Sequence, residues 1–299
     1  GGILMLVAAM DIGTNSTRLL IAKCLEGQIN PVFADLEITR IGEGIGSDKR
    51  IQPLPLIRTI KCLERYLEKC REYKVEKMRI IATSAVRDAK NKDEVAREVY
   101  KKTGLTLEIL SGEKEAELSF LGAISDLEPQ MIKKAMVVDI GGGSTEFIYP
   151  TDNRIQYKSV NLGTVRLLEN ITLRDDIPKI LSDLIPVGVV KKPILVGVAG
   201  TVTTLVTIKL GLEEYDSKLV HGQKLLLEEI KSMGKELSRL SLQERKKIKG
   251  LHPRRADVIP YGILILEKIM EYLEVSEITV SDKDSLHGLI KETYFRWSF

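Results

Sequence analysis

Asp11-Ile12-Gly13-Thr14-Asn15-Ser16-Thr17 and, a domain's length later, Asp139-Ile140-Gly141-Gly142-Gly143-Ser144-Thr145 are one short phrase written twice without a gap. Each copy follows an apolar run, Leu4 to Met10 and Ala135 to Val138. Each leads into another, Leu19 to Ala22 and Phe147 to Tyr149. A strand, an Asp-x-Gly turn and a second strand are therefore expected twice. So long a period excludes a solenoid and implies a duplicated domain.

Around these hairpins the pattern alternates between strand and helix. Ile29 to Ile41 reads as further strand, followed by a loop marked by Gly42, Gly44 and Gly46. From Leu56 the residues Leu56, Ile57, Ile60, Leu63, Leu67 and Cys70 fall on one helical stripe. Asn91 with Glu94 resembles an N-cap with its box partner, opening a helix that Gly104 closes. Leu105 to Leu110 reads as strand, and Ser111 caps the next helix. Strands at 155–160, 194–198 and 277–280 and a final helix complete an α/β arrangement.

The chain has 299 residues, with 45 Lys and Arg against 42 Asp and Glu, 43% hydrophobic residues and 29% charged. That balance excludes a disordered polyelectrolyte and offers no global argument for nucleic-acid binding. The run from Ile3 to Met10 is too short for a membrane span, which needs ~20 residues. Cys24, Cys62 and Cys70 form no metal or disulfide spacing with each other or with the three histidines. A cytoplasmic protein is expected, with neither a nucleic-acid nor a membrane partner and a homodimer as the candidate assembly.

The chemistry lies in the two turns. Glycine and small hydroxyl residues let backbone N–H groups approach an anion closely, which makes Thr14, Asn15, Ser16 and Gly141, Gly142, Gly143, Ser144 candidate phosphate cradles. The carboxylates that open the turns, Asp11 and Asp139, suit a hard divalent ion such as Mg2+. A third glycine turn, Gly197 to Thr201, offers Gly200 and Thr201 at the start of an apolar helix. No Walker motif is present. Arg18 and Arg87 each follow a polar turn and are candidate phosphate clamps, because a guanidinium fork matches phosphate oxygens. Arg166, His221 and Arg255 extend a basic track or serve as structural pairs.

These pieces resemble the exopolyphosphatase and guanosine pentaphosphate phosphohydrolase family of the actin/hexokinase/heat-shock ATPase superfamily. The resemblance rests on the two Asp turns, Ala82-Thr-Ser-Ala-Val-Arg87, Leu110-Ser-Gly-Glu-Lys-Glu-Ala116, Leu162-Gly-Thr-Val-Arg166, Gly197 to Thr201, Val220-His-Gly222 and Arg254-Arg-Ala-Asp-Val-Ile-Pro260. It implies two ribonuclease-H-like domains, residues 1–128 and 129–283, with an interdomain cleft and a terminal helix near 284–299 returning to the first. It also implies Mg2+-assisted release of terminal phosphate from polyphosphate or guanosine pentaphosphate. Glu115 matches the family's base, and Glu146 is placed to aim at metal or water. Asp139, Glu146 and Asp11 are the implied metal ligands. Longer relatives carry a further helical module, and the family's Ser-Asp-x-Gly-Leu-Arg-Glu-Gly segment reads here Ser281-Asp-Lys-Asp-Ser-Leu-His-Gly288. An ATP-dependent kinase on the same scaffold and a non-catalytic polyphosphate or nucleotide sensor are the alternatives.

Overall fold

Along β1 (Met5–Ile12) the buried side chains alternate between two cores. Met5, Val7 and Ala9 enter one, while Ala8, Met10 and Ile12 enter the other. β2 (Thr17–Leu25) alternates in the same way, with Leu19 and Ile21 on one face and Leu20, Ala22 and Cys24 on the opposite one. A period of two with both faces apolar is what a sheet covered by helices on both sides requires. The computed structural model describes residues 4–26, 28–45, 48–151, 154–185 and 192–297.

The chain forms two compact units, Gly1–Ser125 together with Asp284–Phe299, and Asp126–Lys283. In the first, β3 (Gln28–Glu37) follows β2, then come α1 (Pro53–Glu72), β4 (Lys77–Ala82), α2 (Ser84–Arg87), α3 (Lys92–Thr103), β5 (Leu107–Ile109) and α4 (Gly112–Ala123). The second holds α5 (Pro129–Ile132), β6 (Ala135–Ile140), β7 (Thr145–Pro150), β8 (Ile155–Val160), α6 (Thr164–Glu169), α7 (Leu173–Leu184), β9 (Ile194–Val198) and α8 (Ala199–Leu210). It continues through α9 (Ser217–Val220), β10 (Lys224–Leu226), α10 (Leu227–Arg239), α11 (Leu242–Arg245), α12 (Ile259–Tyr272) and β11 (Glu277–Val280). The last helix, α13 (Ser285–Trp297), belongs to the first unit and packs on α4 and β1.

The duplication read from the sequence extends to topology. The first sheet runs β3-β2-β1-β4-β5, and the second runs β8-β7-β6-β9-β11 with β10 added at the edge. In each, an antiparallel hairpin is followed by two parallel strands. Parallel neighbours end at the same rim, so the turn after β1 lies beside the turn after β4, and the turn after β6 beside that after β9. Ligands of open α/β sheets bind at such carboxyl ends.

Several local expectations hold and several do not. Ser111 caps α4 through Lys114 N–H at 3.1 Å, and Gly104 ends α3 in the left-handed region. Asn91 makes no cap bond. Its amide instead donates to the Ile51 carbonyl at 3.0 Å and accepts from Ile51 N–H at 2.9 Å, pinning a loop on the inner side of α1. The β3 strand ends at Glu37, short of Ile41. Ile57 sits on the exposed side of α1 although it shares the apolar spacing. Gly42 lies where an added Cβ would meet the Thr14 methyl, and Gly46 falls outside the described residues. The three cysteines are buried in the first unit, and burial pushes their thiols up to about 11 to 12. Among the described residues no helix is long and apolar enough to cross a membrane.

The α4–α13 packing depends on two facing glycines. A Cβ on Gly122 would fall 1.9 Å from the Asp284 carbonyl oxygen, and one on Gly288 would fall 1.9 Å from that of Leu118. Both obstacles are backbone, so the helices must part to admit a methyl group. Gly288→Ala should therefore destabilise the protein by about 1–3 kcal/mol, the usual cost of overpacking. Gly112→Ala adds a methyl with nothing within 4 Å. It should leave the urea midpoint unchanged or raise it, and equal losses in both variants would refute the crossing as the cause.

Candidate phosphate loops and their carboxylates

Each Asp turn closes on the same bond. Gly13 N–H donates to the Ser16 carbonyl at 2.9 Å, and Gly141 N–H donates to that of Ser144 at 2.9 Å. The flanking strands pair in the same register, Ile12 with Thr17 and Ile140 with Thr145. One step back, Asp11 lies opposite Arg18, whereas Asp139 lies opposite Glu146. The frames are alike and their electrostatics opposite.

In the first unit, Asp11 is 5% exposed and its Oδ2 accepts from Arg18 Nη2 at 2.6 Å. The Asp11 Oδ1 is buried without a partner. Burial raises the Asp11 pKa, Arg18 opposes the rise, and Asp284 and Glu115 add to it. Arg18 donates a second time, to Asp284 at the start of α13. Burial alone would raise Asp284, but His287 and Arg18 hold it below the usual carboxylate range. Thr14 shares a hydroxyl hydrogen bond with Ser84 at 3.0 Å, and Thr83 N–H reaches the Ile12 carbonyl at 3.3 Å. The segment after β4 is thereby fastened to the first loop. From that segment Arg87 donates to Glu115 Oε2 at 2.8 Å and to the Leu110 carbonyl at 3.2 Å. Glu115 lies in the first turn of α4. Asp11, Arg18, Arg87 and Glu115 therefore form one cluster, while Asn15 is exposed and accepts from Arg40 N–H through its carbonyl.

In the second unit, Glu146 Oε1 accepts from the Ser144 hydroxyl at 2.6 Å and from Ser159 at 3.1 Å. Asp139 has no basic partner among the described residues. Burial, with Glu146 alongside, pushes it up to about 7. The third turn joins the second loop through Thr201, whose hydroxyl donates to the Ile140 carbonyl at 2.9 Å. Ala199 occupies the left-handed region at φ 62, a strained conformation for a residue with a Cβ, at the entry to α8. Arg166 Nε donates to the Gly143 carbonyl at 2.9 Å, and Arg255 Nη1 donates to that of Gly200 and to Thr204. Both act here as loop supports. His221 lies apart from them, bonded to Asp126 at 2.6 Å.

Gly143 is informative because nothing structural demands a glycine there. Its φ is ordinary and an added Cβ would meet nothing within 4 Å. A Cβ added at Gly142, by contrast, would lie 3.3 Å from the Val165 side chain. The loop is open at Gly143, so its backbone is accessible from that side.

The comparisons with known proteins agree with this frame. The model of the Ppx/GppA phosphatase family matches residues 20–295. The chain belongs to the Ppx/GppA phosphatase family. It is 37% identical over 309 residues to a bifunctional 3-dehydroquinate synthase/phosphatase of Fusobacterium nucleatum, covering 95% of this chain and 46% of that protein. It is 32% identical over 310 residues to exopolyphosphatase 2 of Mycobacterium tuberculosis, covering 95% and 97%. The crystal structure of the type II variant of the Aquifex aeolicus Ppx/GppA phosphatase superposes with a TM-score of 0.87 at 32% identity, over 97% of this chain and 99% of that one. The chain thus spans about half of the bifunctional relative and nearly all of the other two. The α/β architecture, with its two actin-like sheets, is the one the motifs implied.

Sequence reasoning missed one residue of this Ppx/GppA frame. Asp284 binds Arg18 from 266 positions away. The only signal was its place in the segment that departs from the family pattern.

The state of Asp139 is measurable through stability. Its pKa is raised in the folded state, so the fold binds a proton that the unfolded chain releases near pH 3.9. The contribution of Asp139 is complete below pH ~4 and declines as pH rises towards about 7. Asp139→Asn, which cannot ionise, should flatten the metal-free melting temperature across that window. A variant retaining the wild-type slope would place the titration elsewhere.

Proposed function

We propose that this chain is a phosphohydrolase that releases terminal phosphate from inorganic polyphosphate or guanosine pentaphosphate with the help of Mg2+ or another divalent cation. The observation that carries the reading is the pair Asp139–Glu146, opposite each other beside a glycine loop that is open at Gly143. Family membership and the similarity to a protein named exopolyphosphatase support the choice of substrate class.

The donor set fits a hard cation. Asp139 and Glu146 supply carboxylate oxygens and have no basic partner among the described residues, so a bound cation would relieve both burial and mutual repulsion. Among the described residues no group of three or more His, Cys, Asp or Glu could hold a metal. Mg2+ needs no such cage, since it keeps several waters and takes one or two carboxylates beside substrate phosphate. Bound there, the ion would neutralise charge on the phosphoryl oxygens. In the first unit, Asp11 retains one unpartnered oxygen beside its Arg18 bond. It is the further candidate ligand of its own loop.

The chain's own groups divide the remaining work. The backbones of Thr14 to Ser16, Gly141 to Ser144 and Gly200 to Thr201 hold phosphate oxygens. Arg18 and Arg87 keep N–H donors beyond their carboxylate bonds, because a guanidinium carries five. Glu115 is the general base. Arg87 fixes its Oε2 at 2.8 Å, leaving Oε1 to accept a proton from the attacking water. Glu146 is committed on one oxygen to two serine hydroxyls and stands beside Asp139, which suits it to the ion.

Glu115→Gln keeps the shape and removes proton acceptance. It should lower kcat for phosphate release by about 10²–10⁴-fold with little change in KM and a near-normal melting temperature. Glu113→Gln, exposed on the same turn, should remain active. Asp139→Asn should abolish most activity and weaken the Mg2+ dependence. Phosphate release from polyphosphate without ATP separates this reading from a kinase, and tight binding without turnover would support a sensor. Near-wild-type rates in both Glu115→Gln and Glu146→Gln would reject the mechanism.

A further inference from the structure

We infer that the second unit carries another anion site, a groove between α10 and α12 that takes a short phosphoanhydride chain. The groove has a volume of about 670 Å3, within the range of small-ligand sites. Lys231, Gly234, Lys235 and Ser238 line one wall at positions i, i+3, i+4 and i+7 of α10, a single helical face. Tyr261, Leu264 and Lys268 line the other from α12, while Arg174 of α7 and Arg245 of α11 contribute at the sides. No residue of the phosphate loops takes part.

Charge distinguishes this groove from an ordinary solvated face. Across the chain basic and acidic residues are nearly matched, 45 against 42. Here five basic side chains face two carboxylates, Glu267 and Glu271. Glu271 is shared by Lys231 at 3.1 Å and Lys268 at 2.8 Å, and Glu228, outside the groove, lies 3.8 Å from Lys231. Arg174, Lys235 and Arg245 have no carboxylate partner among the described residues, whereas Lys209, Lys224 and Lys249 on the same unit each pair with a glutamate. Arg245 is held in place by the Ala256 carbonyl at 2.9 Å, and its buried Nε has no acceptor.

The spread of charge selects the ligand. From Lys231 to Ser238 the α10 wall runs about 10 Å at 1.5 Å per residue. A single orthophosphate reaches only part of that length, while a linear oligophosphate presents an anionic group to each successive cation. Guanidinium forks at the sides and the Ser238 and Tyr261 hydroxyls add donors suited to phosphate oxygens. The groove's chemistry fits a free oligophosphate and one borne on a nucleoside alike, since Tyr261, Leu264 and Ile171 supply an apolar wall.

Hydrogen–deuterium exchange on the full chain, in EDTA, reads this groove separately from the loops. Added tripolyphosphate should protect amides of α10 and α12 in a saturable way. Arg174→Glu/Lys235→Glu should raise the half-saturating concentration about tenfold or more. Protection of the segment 139–146, which reports the loops, should be unchanged in that variant. Lys235→Gln, a milder exposed change, should shift the titration in the same direction. GTP acting at lower concentration than tripolyphosphate assigns a nucleoside-borne chain, and equal or weaker action assigns a free one. The inference fails if α10 and α12 gain no protection, if sodium sulfate at matched ionic strength protects them equally, or if the charge-reversed variant titrates as the wild type does. None of these outcomes depends on turnover, so loop protection and phosphate release stand or fall on their own.

Discussion

Asp139 and Glu146 face each other across an antiparallel pair, both partly buried, with no basic side chain bonded to either among the described residues. Two like charges in that position raise the cost of ionisation, and the structure around them is arranged to bear it. Ser144 and Ser159 hydroxyls donate to Glu146, while the loop is closed by the Gly141–Ser144 bond and supported by Arg166. The third turn is tied in through Thr201, with Arg255 beneath Gly200. These contacts hold the loop beside a carboxylate pair that has no basic partner among the described residues. A carboxylate pair beside backbone amides suits the cation and the phosphate group of the proposed reaction.

The first unit uses the same backbone for a different electrostatic end. Arg18 occupies the position of Glu146 and neutralises Asp11 internally. The guanidinium also bonds a second carboxylate, Asp284, which immediately precedes α13. This contact explains why the α4–α13 packing bears on the loop. The facing glycines set how closely α13 approaches, and α13 carries the residue that orients Arg18. A methyl group at Gly288 would therefore be felt at Asp11.

Duplication has thus preserved geometry and divided chemistry. One loop is charge-compensated by arginine and stands next to Glu115, held by Arg87. Its counterpart is uncompensated and stands next to two hydroxyls. The groove between α10 and α12, with Arg174, Lys235 and Arg245 free of carboxylate partners among the described residues, is the further anion site inferred for the second unit, and no residue of its phosphate loop lines it. Its excess charge is local, since the chain as a whole is almost neutral.

The repeated Asp-x-Gly phrase, the alternating apolar strands and the caps at Ser111 and Gly104 were legible because each depends on residues close together in sequence, where backbone geometry and periodicity act directly. The α/β class and the loops followed from them. Even the contrast of Arg18 with Glu146 lay in the text, because a tight hairpin fixes its own register. What the tertiary structure alone decided were the long-range partners. Asn91 abandoned its cap for Ile51, and Ile57 turned to solvent despite its spacing. Arg18 found Asp284 across most of the chain, and the cations of α7, α10, α11 and α12 gathered around one groove. No local pattern encodes such meetings. A polar side chain takes the partner that packing brings within hydrogen-bond reach, and that choice exists only once the helices have docked.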